Sequence, residues 1–464
     1  MSNTPTEKDG AIYDAKQLGM PKMLILGLQH MFAMFGATIL VPILVNSYFH
    51  GEGLSIQVTL FFAGIGTLFF HICAKLKVPA FLGSSFAFLG GFATVAELNS
   101  GIFANMTYGE KLPYACGGIV VAGLLYLVLA LVIRLVGVKR VMRFLPPVVT
   151  GPIIICIGLS LAGSALNNAQ TNWFLALVAL VVIIAFNIWG KGMFKIIPIL
   201  MGVLISYAVA LAMQFAGMTN PDGSTIIDFT STASSAWVGL PDFILCKFNL
   251  TAILVMAPIA IATMMEHIGD MSAISATVGE NFLEDPGLHR TLIGDGLATA
   301  LSAFFGGPAN TTYGENTGVL ELSRVFDPAV IRIAAVYAVV LSFVPKFASI
   351  IGSMPASIIG GVSFILYGMI SAIGIRNVVE NRVDLTNSRN LIIAAVILVC
   401  GLGFSSGLTF EIAGTSITLT SLAIASIAGV LLNAILPGND YEFGVSPEGD
   451  MNRGVTLKAR HRQD

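Results

Sequence analysis

Long apolar runs dominate this sequence and limit its possible folds more than any other feature. Residues 115–137 and 174–190 carry few polar side chains, and runs of this kind are about the length that crosses ~30 Å of hydrocarbon as a helix. Only 11% of the 464 residues are charged, against about 25% in soluble domains. The sequence therefore predicts an all-α polytopic membrane protein.

Charge, cysteines and the N-terminus exclude several other classes of protein. The formal net charge of −2 gives no reason to expect nucleic acid as a partner. The five cysteines share no CxxC spacing, so we predict neither a disulfide framework nor a metal site. Because the first 17 residues are polar, we expect no cleaved signal peptide and a first apolar run that stays in the protein.

Hydropathy predicts fourteen transmembrane segments. They lie near residues 23–46, 54–74, 79–97, 114–137, 146–167, 172–190, 197–217, 250–271, 289–306, 309–325, 329–350, 355–375, 389–405 and 416–436. Lys and Arg, which are retained on the cytoplasmic side, give an independent check. With both termini inside, 21 of these residues fall inside and three, Lys111, Lys247 and Lys346, fall outside. Adding or removing one span in the middle would exchange the inside and outside positions of all later loops and remove this asymmetry.

The spacing of the spans predicts an internal repeat. The polar stretch 218–249 separates seven spans from seven, and an odd number per half gives the halves opposite orientations, as in a 7+7 inverted repeat. The third span of each half, 79–97 and 309–325, is interrupted by Gly, Pro and polar residues. Such matched broken spans indicate a substrate site near the midplane. The alternative is that they are helices whose small residues allow close packing.

Two carboxylates in span eight require an explanation, because an ionisable residue at the bilayer centre costs about 2.5–3.5 kcal/mol on insertion scales. Glu266 and Asp270 are four residues apart and share one face of a helix. Carboxylates this close repel in a low dielectric, which favours binding of a proton by one of them. This pattern is typical of a proton-coupled transporter. The alternative is a carboxyl that is permanently paired with a neighbouring helix.

Residues 306–318 form the most informative stretch in the chain. Gly307, Pro308 and the pair Thr311-Thr312 argue against a helix up to about Tyr313. We expect an extended segment followed by a half-helix starting near Glu315, with its N-terminal N–H groups facing a cavity. The matching segment 78–90 is likewise interrupted by Pro and Gly residues. The two segments are predicted to pair as short antiparallel strands in spans 3 and 10.

Two further polar residues lie within predicted spans. His30 in span one is either a hydrogen-bonded packing residue or a proton carrier. Asp295 lies about one turn inside span nine, and we expect it at the membrane interface.

The motifs at Gln29-His30, residues 83–88, residues 266–269 and residues 313–318 together resemble the nucleobase–ascorbate transporter family, and within it the uracil-transporting members. The resemblance extends from about residue 18 to residue 436. The family signature is present from Glu315 to Arg324, with Ser323 in place of the usual Thr. A second departure is Asp270, where many uracil-transporting members carry His.

The resemblance implies a core domain that moves against a gate domain. The core comprises residues 23–137 (spans 1–4) and 250–350 (spans 8–11), and the gate comprises residues 146–217 (spans 5–7) and 355–436 (spans 12–14). Residues 1–22 and 437–464 are then cytoplasmic tails in a multi-pass protein of the inner (plasma) membrane. A homodimer surrounded by lipid is also implied.

The resemblance further assigns roles to particular residues. Glu266 and Glu315 bind the base, the backbone amides of Phe86 and Gly314 meet its carbonyls, and Tyr313 and Tyr367 line the pocket. Proton coupling is expected at Glu266, Asp270 and His30. The coupling ion is the proton, and no metal or organic cofactor is implied.

The implied function is proton symport of a nucleobase, with uracil favoured because purine-transporting members commonly carry Gln where this chain has Glu315. The alternatives are a xanthine or purine symporter of the same fold and an inverted-repeat anion transporter. An enzyme is not expected, because the sequence has neither an HExxH nor a GxSxG motif.

Overall fold

The computed structural model describes residues 11–404, 407–412, 415–438 and 441. Most of the two predicted tails, residues 1–10 and 442–464, lies outside the described residues. Helices make up most of the described chain: α1 (Met20–Tyr48), α2 (Ile56–Cys73), α3 (Leu89–Ala96), α4 (Tyr108–Val136), α5 (Val138–Met142), α6 (Pro147–Ser160), α7 (Ala162–Ala169), α8 (Trp173–Trp189), α9 (Met193–Ile196), α10 (Pro198–Phe215), α11 (Thr230–Ser234), α12 (Leu250–Met256), α13 (Ala260–Val278), α14 (Leu288–Phe304), α15 (Gly314–Ser323), α16 (Pro328–Ser342), α17 (Pro345–Gly352), α18 (Ala356–Glu380), α19 (Ser388–Gly403) and α20 (Ser421–Ile435).

Local sequence sets several of these helix ends. Thr107 and Glu110 form a capping box at the start of α4. The Asp327 side chain accepts the Ala329 N–H at the start of α16, whose first residue is a proline. Gly279, at a φ of 83°, closes α13 in the left-handed conformation that glycine adopts without strain.

Length and composition allow seven helical stretches of the described chain to cross a membrane: Met20–Tyr48, Ile56–Cys73, Tyr108–Val136, Pro147–Ala169, Pro198–Phe215, Leu250–Val278 and Ala356–Glu380. The pair α16 and α17, bent by 87°, gives an eighth. Three shorter apolar helices are α8, α19 and α20. The protein is therefore a mostly helical, multi-pass membrane protein.

The predicted count of fourteen is not reached by this criterion, for a physical reason. Three of the predicted spans lack a long apolar helix. One is α14, which carries His289, Arg290 and Asp295. In the other two, a three-residue strand precedes the short helices α3 and α15.

The helices form two groups that pack within themselves. In one group α14 lies against α4 and α2, and α16 lies against α1 and α2; in the other, α18 lies against α6, α7 and α8. Glycine permits close approach in the first group, where a Cβ on Gly123 of α4 would lie 2.6 Å from the carbonyl oxygen of Gly296 in α14. Helix α13 contacts α4 and α15 of the first group and α6 and α20 of the second.

A two-stranded antiparallel sheet lies inside the first group. It is formed by β1 (Leu82–Ser84) and β2 (Asn310–Thr312), with Leu82 opposite Thr312 and Ser84 opposite Asn310. All six residues are buried. The pairing satisfies backbone groups that have no helical partner at membrane depth. A second two-stranded antiparallel sheet, formed by β3 (Leu408–Ile412) and β4 (Thr415–Leu419), lies between α19 and α20 in the chain.

Candidate functional site

A small cavity of about 60 Å³ lies where the two helix groups meet. One wall comes from β2, α13 and the start of α15, and the opposite wall comes from α6 and α18. The lining residues are Phe86, Ile154, Glu266, Gly269, Asp270, Ala273, Thr311, Thr312, Tyr313, Gly314, Glu315, Ile370 and Ile373.

Three carboxylates reach this cavity. Glu266 and Asp270 lie one turn apart on α13, and Glu315 lies in the first turn of α15. The Oε2 atom of Glu266 is buried and has no hydrogen-bond partner within the described residues. A buried oxygen without a partner is costly unless a proton or a ligand supplies one. The site can therefore accept hydrogen bonds from a polar ligand.

Thr312 joins the two elements that carry these carboxylates. Its Oγ1 donates a hydrogen bond of 2.6 Å to Oδ2 of Asp270. Because Thr312 ends β2, the bond links α13 to the strand that leads into α15. The sequence carries no local signal of this contact, since the two residues are 42 positions apart.

Backbone donors complement the carboxylates. Gly314 is the first residue of α15, so its N–H has no acceptor inside the helix. No acceptor for the backbone N–H of Phe86 is found in the part of the chain that the structure describes. Phe86 and Gly314 both line the cavity. The arrangement offers N–H donors and carboxylate acceptors to the same small space.

The three aromatic candidates occupy different places. The centroids of the Phe86 and Tyr367 rings lie 6.0 Å apart with the ring planes at 74°. Tyr367 packs against Phe86 and is not among the residues lining the cavity. The Tyr313 hydroxyl donates to the carbonyl oxygen of Ser84 at 2.8 Å, and its ring covers Gly83. The side chain of Tyr313, which directly follows β2, therefore links this segment to β1.

His30 lies on α1 and is fully buried. Its Nδ1 and backbone carbonyl face the Asn316 side-chain amide, at 3.2 and 3.0 Å respectively. Its Nε2 has no partner within the described residues. His30 is therefore held against the residue that follows Glu315.

Asp295, which the sequence predicts near the membrane interface, lies inside the protein. The residue is fully buried, and its Oδ2 lies 3.0 Å from Nδ1 of His267, which is also buried. These two atoms are close without hydrogen-bond geometry, whereas Nε2 of His267 is 3.0 Å from the Thr291 hydroxyl. Helix α14 packs against α4 and α2, and no local sequence signal shows that the Asp295 side chain faces the protein interior.

A larger vestibule of about 790 Å³ adjoins the small cavity. Both spaces are lined by Asp270, Ala273, Gly314 and Ile373. The outer part of the vestibule carries Glu321, Arg324, Arg376, Glu380 and Arg382. Asp270 therefore lies at the boundary between the two spaces. The described residues contain no cluster of three or more His, Cys, Asp or Glu side chains that could hold a metal ion.

Sequence comparisons find close relatives along nearly the whole chain. A model of the Permease family matches residues 21–410. A uracil permease of Bacillus caldolyticus is 41% identical over 430 residues, which are 89% of this chain and 92% of the relative. A putative pyrimidine permease of Escherichia coli (strain K12) is 36% identical over 441 residues, which are 94% of each chain.

Solved structures share the fold at much lower identity. The transmembrane domain of the cyanobacterial bicarbonate transporter BicA aligns with a TM-score of 0.61 at 15% identity, over 90% of this chain and 99% of that one. SLC26A9 aligns with a TM-score of 0.64 at 12% identity, over 91% of this chain and 66% of that one. Both likenesses concern the fold alone.

Proposed function

Because this chain belongs to the nucleobase–ascorbate transporter family, we propose that it imports a nucleobase, uracil, together with a proton. Membership in this family makes the protein a transporter and not an enzyme. The observation that carries the proposal is the meeting of Glu266 and Glu315 with free backbone donors at one cavity. The proton is the coupling ion, and no other cofactor is required.

The chemistry of uracil matches this set of groups. Its flat ring presents two N–H donors and two carbonyl acceptors. Glu266 and Glu315 accept from the N–H groups, and the backbone amides of Phe86 and Gly314 donate to the carbonyls. Bonds to ionised carboxylates are about twice as strong as neutral ones. Phe86, Tyr313 and Tyr367, which packs against Phe86, complete the aromatic surroundings.

The proposed architecture is a 7+7 inverted repeat of fourteen spans. The seven long helical stretches, the bent pair, the three shorter apolar helices, α14 and the two strand–helix segments together make fourteen. The β1–β2 sheet then joins spans 3 and 10, one from each repeat.

Alternating access follows from the position of the cavity between the two helix groups. The group containing α1–α4 and α12–α16 corresponds to the core, and the group containing α6–α10 and α18–α20 corresponds to the gate. Because each group supplies one wall of the cavity, sliding of one against the other opens the site to one side of the membrane at a time. Protonation of Glu266 or Asp270 permits this movement by removing charge repulsion between the carboxylates, and His30 is the further residue that takes part in proton coupling.

In the proposed orientation both termini lie in the cytoplasm. The protein is proposed to be a homodimer in the inner membrane. The vestibule opens toward Arg324, Arg376 and Arg382, which the positive-inside rule assigns to the cytoplasmic face. The structure is then in an inward-open state.

Two alternatives remain distinct in their chemistry. A xanthine or purine symporter would use the same cavity with a larger base. An anion transporter is suggested by the fold shared with BicA and SLC26A9. The carboxylates Glu266 and Glu315 argue against it, because two such groups repel an anion.

Uptake of labelled uracil into proteoliposomes tests the proposal. We expect uptake that an inward proton gradient increases and that unlabelled uracil abolishes, while xanthine, sulfate and bicarbonate compete weakly. Loss of the gradient effect would refute proton coupling. Competition by sulfate or bicarbonate would favour an anion transporter, and stronger competition by xanthine would favour a purine symporter. Empty liposomes and the exposed-site variant Glu97→Gln provide the controls.

A further inference from the structure

The contact between Thr312 and Asp270 has a role beyond packing. Thr312 is 2% exposed, and its hydroxyl hydrogen bonds to Oδ2 of Asp270 at 2.6 Å. The neighbouring Thr311 is equally buried, yet its hydroxyl has no partner within the described residues. Of the two threonine hydroxyls in this short strand, the one with a partner among the described residues is that of Thr312, and its partner is a carboxylate.

The two residues occupy different parts of the water-accessible space. Asp270 lines both the small cavity and the vestibule, whereas Thr312 lines the small cavity but not the vestibule. A bond to Oδ2 from the cavity side restrains the rotation of the carboxylate. It also ties Asp270 to the strand whose next residues, Tyr313 and Gly314, lead into the half-helix with Glu315.

We propose that Thr312 is a positioning residue for proton coupling, which holds the Asp270 carboxylate at the boundary of the two spaces so that proton exchange occurs toward the vestibule. The inference rests on the proposed function and deepens it. Because Thr312 donates to Oδ2, the Asp270 carboxylate exchanges its proton at Oδ1. The change in charge on Asp270 is transmitted through Thr312 to β2 and α15.

Other charged and titratable groups face Asp270 and contribute to its environment. Within the protein these are Glu266, Tyr126, Asp295 and Glu315. Across the vestibule they are Glu321, Arg324, Arg376, Glu380 and Arg382. A change at Thr312 leaves all of them in place, so its effect reports on the hydrogen bond itself.

The test is the pH profile of uracil uptake into proteoliposomes by Thr312→Val, which keeps the size of the side chain and removes the donor. A donated hydrogen bond favours the charged carboxylate, so its removal should move the alkaline limb of the profile by about one pH unit toward higher pH. Thr312→Ser, which restores a hydroxyl, should return the limb to the wild-type position. Thr312→Ala serves as a second variant without a donor should Thr312→Val fold poorly.

A double-mutant cycle with Asp270→Asn separates positioning from a general structural effect. In that background Thr312→Val should cause no further shift. The inference is overturned by an unmoved profile in Thr312→Val, or by an equal shift with and without Asp270. If the wild-type protein transports uracil and the pH profile of Thr312→Val is the same as that of the wild type, this inference alone is overturned. Wild-type protein that does not transport uracil overturns the proposed function and the inference together.

Discussion

Replacing Gly83 by alanine perturbs the packing that fixes the β1–β2 sheet. An added Cβ would meet two carbons of the Tyr313 ring well inside contact distance and would lie 2.7 Å from Oγ1 of Thr38. Overpacking of a core typically costs about 1–3 kcal/mol. Displacement of the ring would also break the Tyr313–Ser84 hydrogen bond, worth about 0.5–1.5 kcal/mol. We therefore expect a loss of about 1.5–4.5 kcal/mol in the free energy of unfolding.

Thermal unfolding in nanodiscs and uracil uptake measure this effect. Gly90→Ala is the matched control, because nothing lies within 4 Å of a Cβ at that exposed position. Tyr313→Leu removes the ring, so Gly83→Ala should cost less in that background than in the wild type. The reasoning is refuted if Gly83→Ala is as stable and as active as Gly90→Ala, or if the Tyr313→Leu background leaves its cost unchanged.

Two further predictions concern packing around the site. Asn316→Asp replaces a donor to His30 by an acceptor. Thermal stability should fall at neutral pH and recover as the pH is lowered, because protonation of the new carboxyl or of His30 restores a donor. A loss of stability that is the same at every pH would contradict this prediction. Gly123→Ala places a Cβ 2.6 Å from the Gly296 oxygen and 2.9 Å from the Ala300 nitrogen. Since these are backbone atoms, which cannot rotate away as a side chain can, the free energy of unfolding should fall by about 1–3 kcal/mol. An unchanged melting temperature would show that α4 and α14 do not approach so closely.

The features of this protein that can be predicted from its sequence are those with a local physical signal. Apolar runs predict the long helices, and residues 307–312 disfavour a helix at the position of β2. The i, i+4 spacing places Glu266 and Asp270 on one face of α13. Each of these inferences depends on residues that are neighbours in the chain.

Contacts between distant parts of the chain were not predictable in this way. Thr312 and Asp270 meet although they are 42 positions apart, and Asn316 reaches His30 across 286 positions. The burial of Asp295 depends on how α14 packs against α2 and α4.

Calorimetric binding of uracil to purified protein tests the central claim, that Glu266 and Glu315 hold the base. Hydrogen bonds to a charged group are worth about 1.5–3 kcal/mol, so Glu266→Gln and Glu315→Gln should each weaken binding by a factor between about 10 and about 150. Glu97→Gln, at an exposed position at the end of α3, should bind as the wild type does. Wild-type affinity in either cavity variant would contradict the account and remove that glutamate from the site.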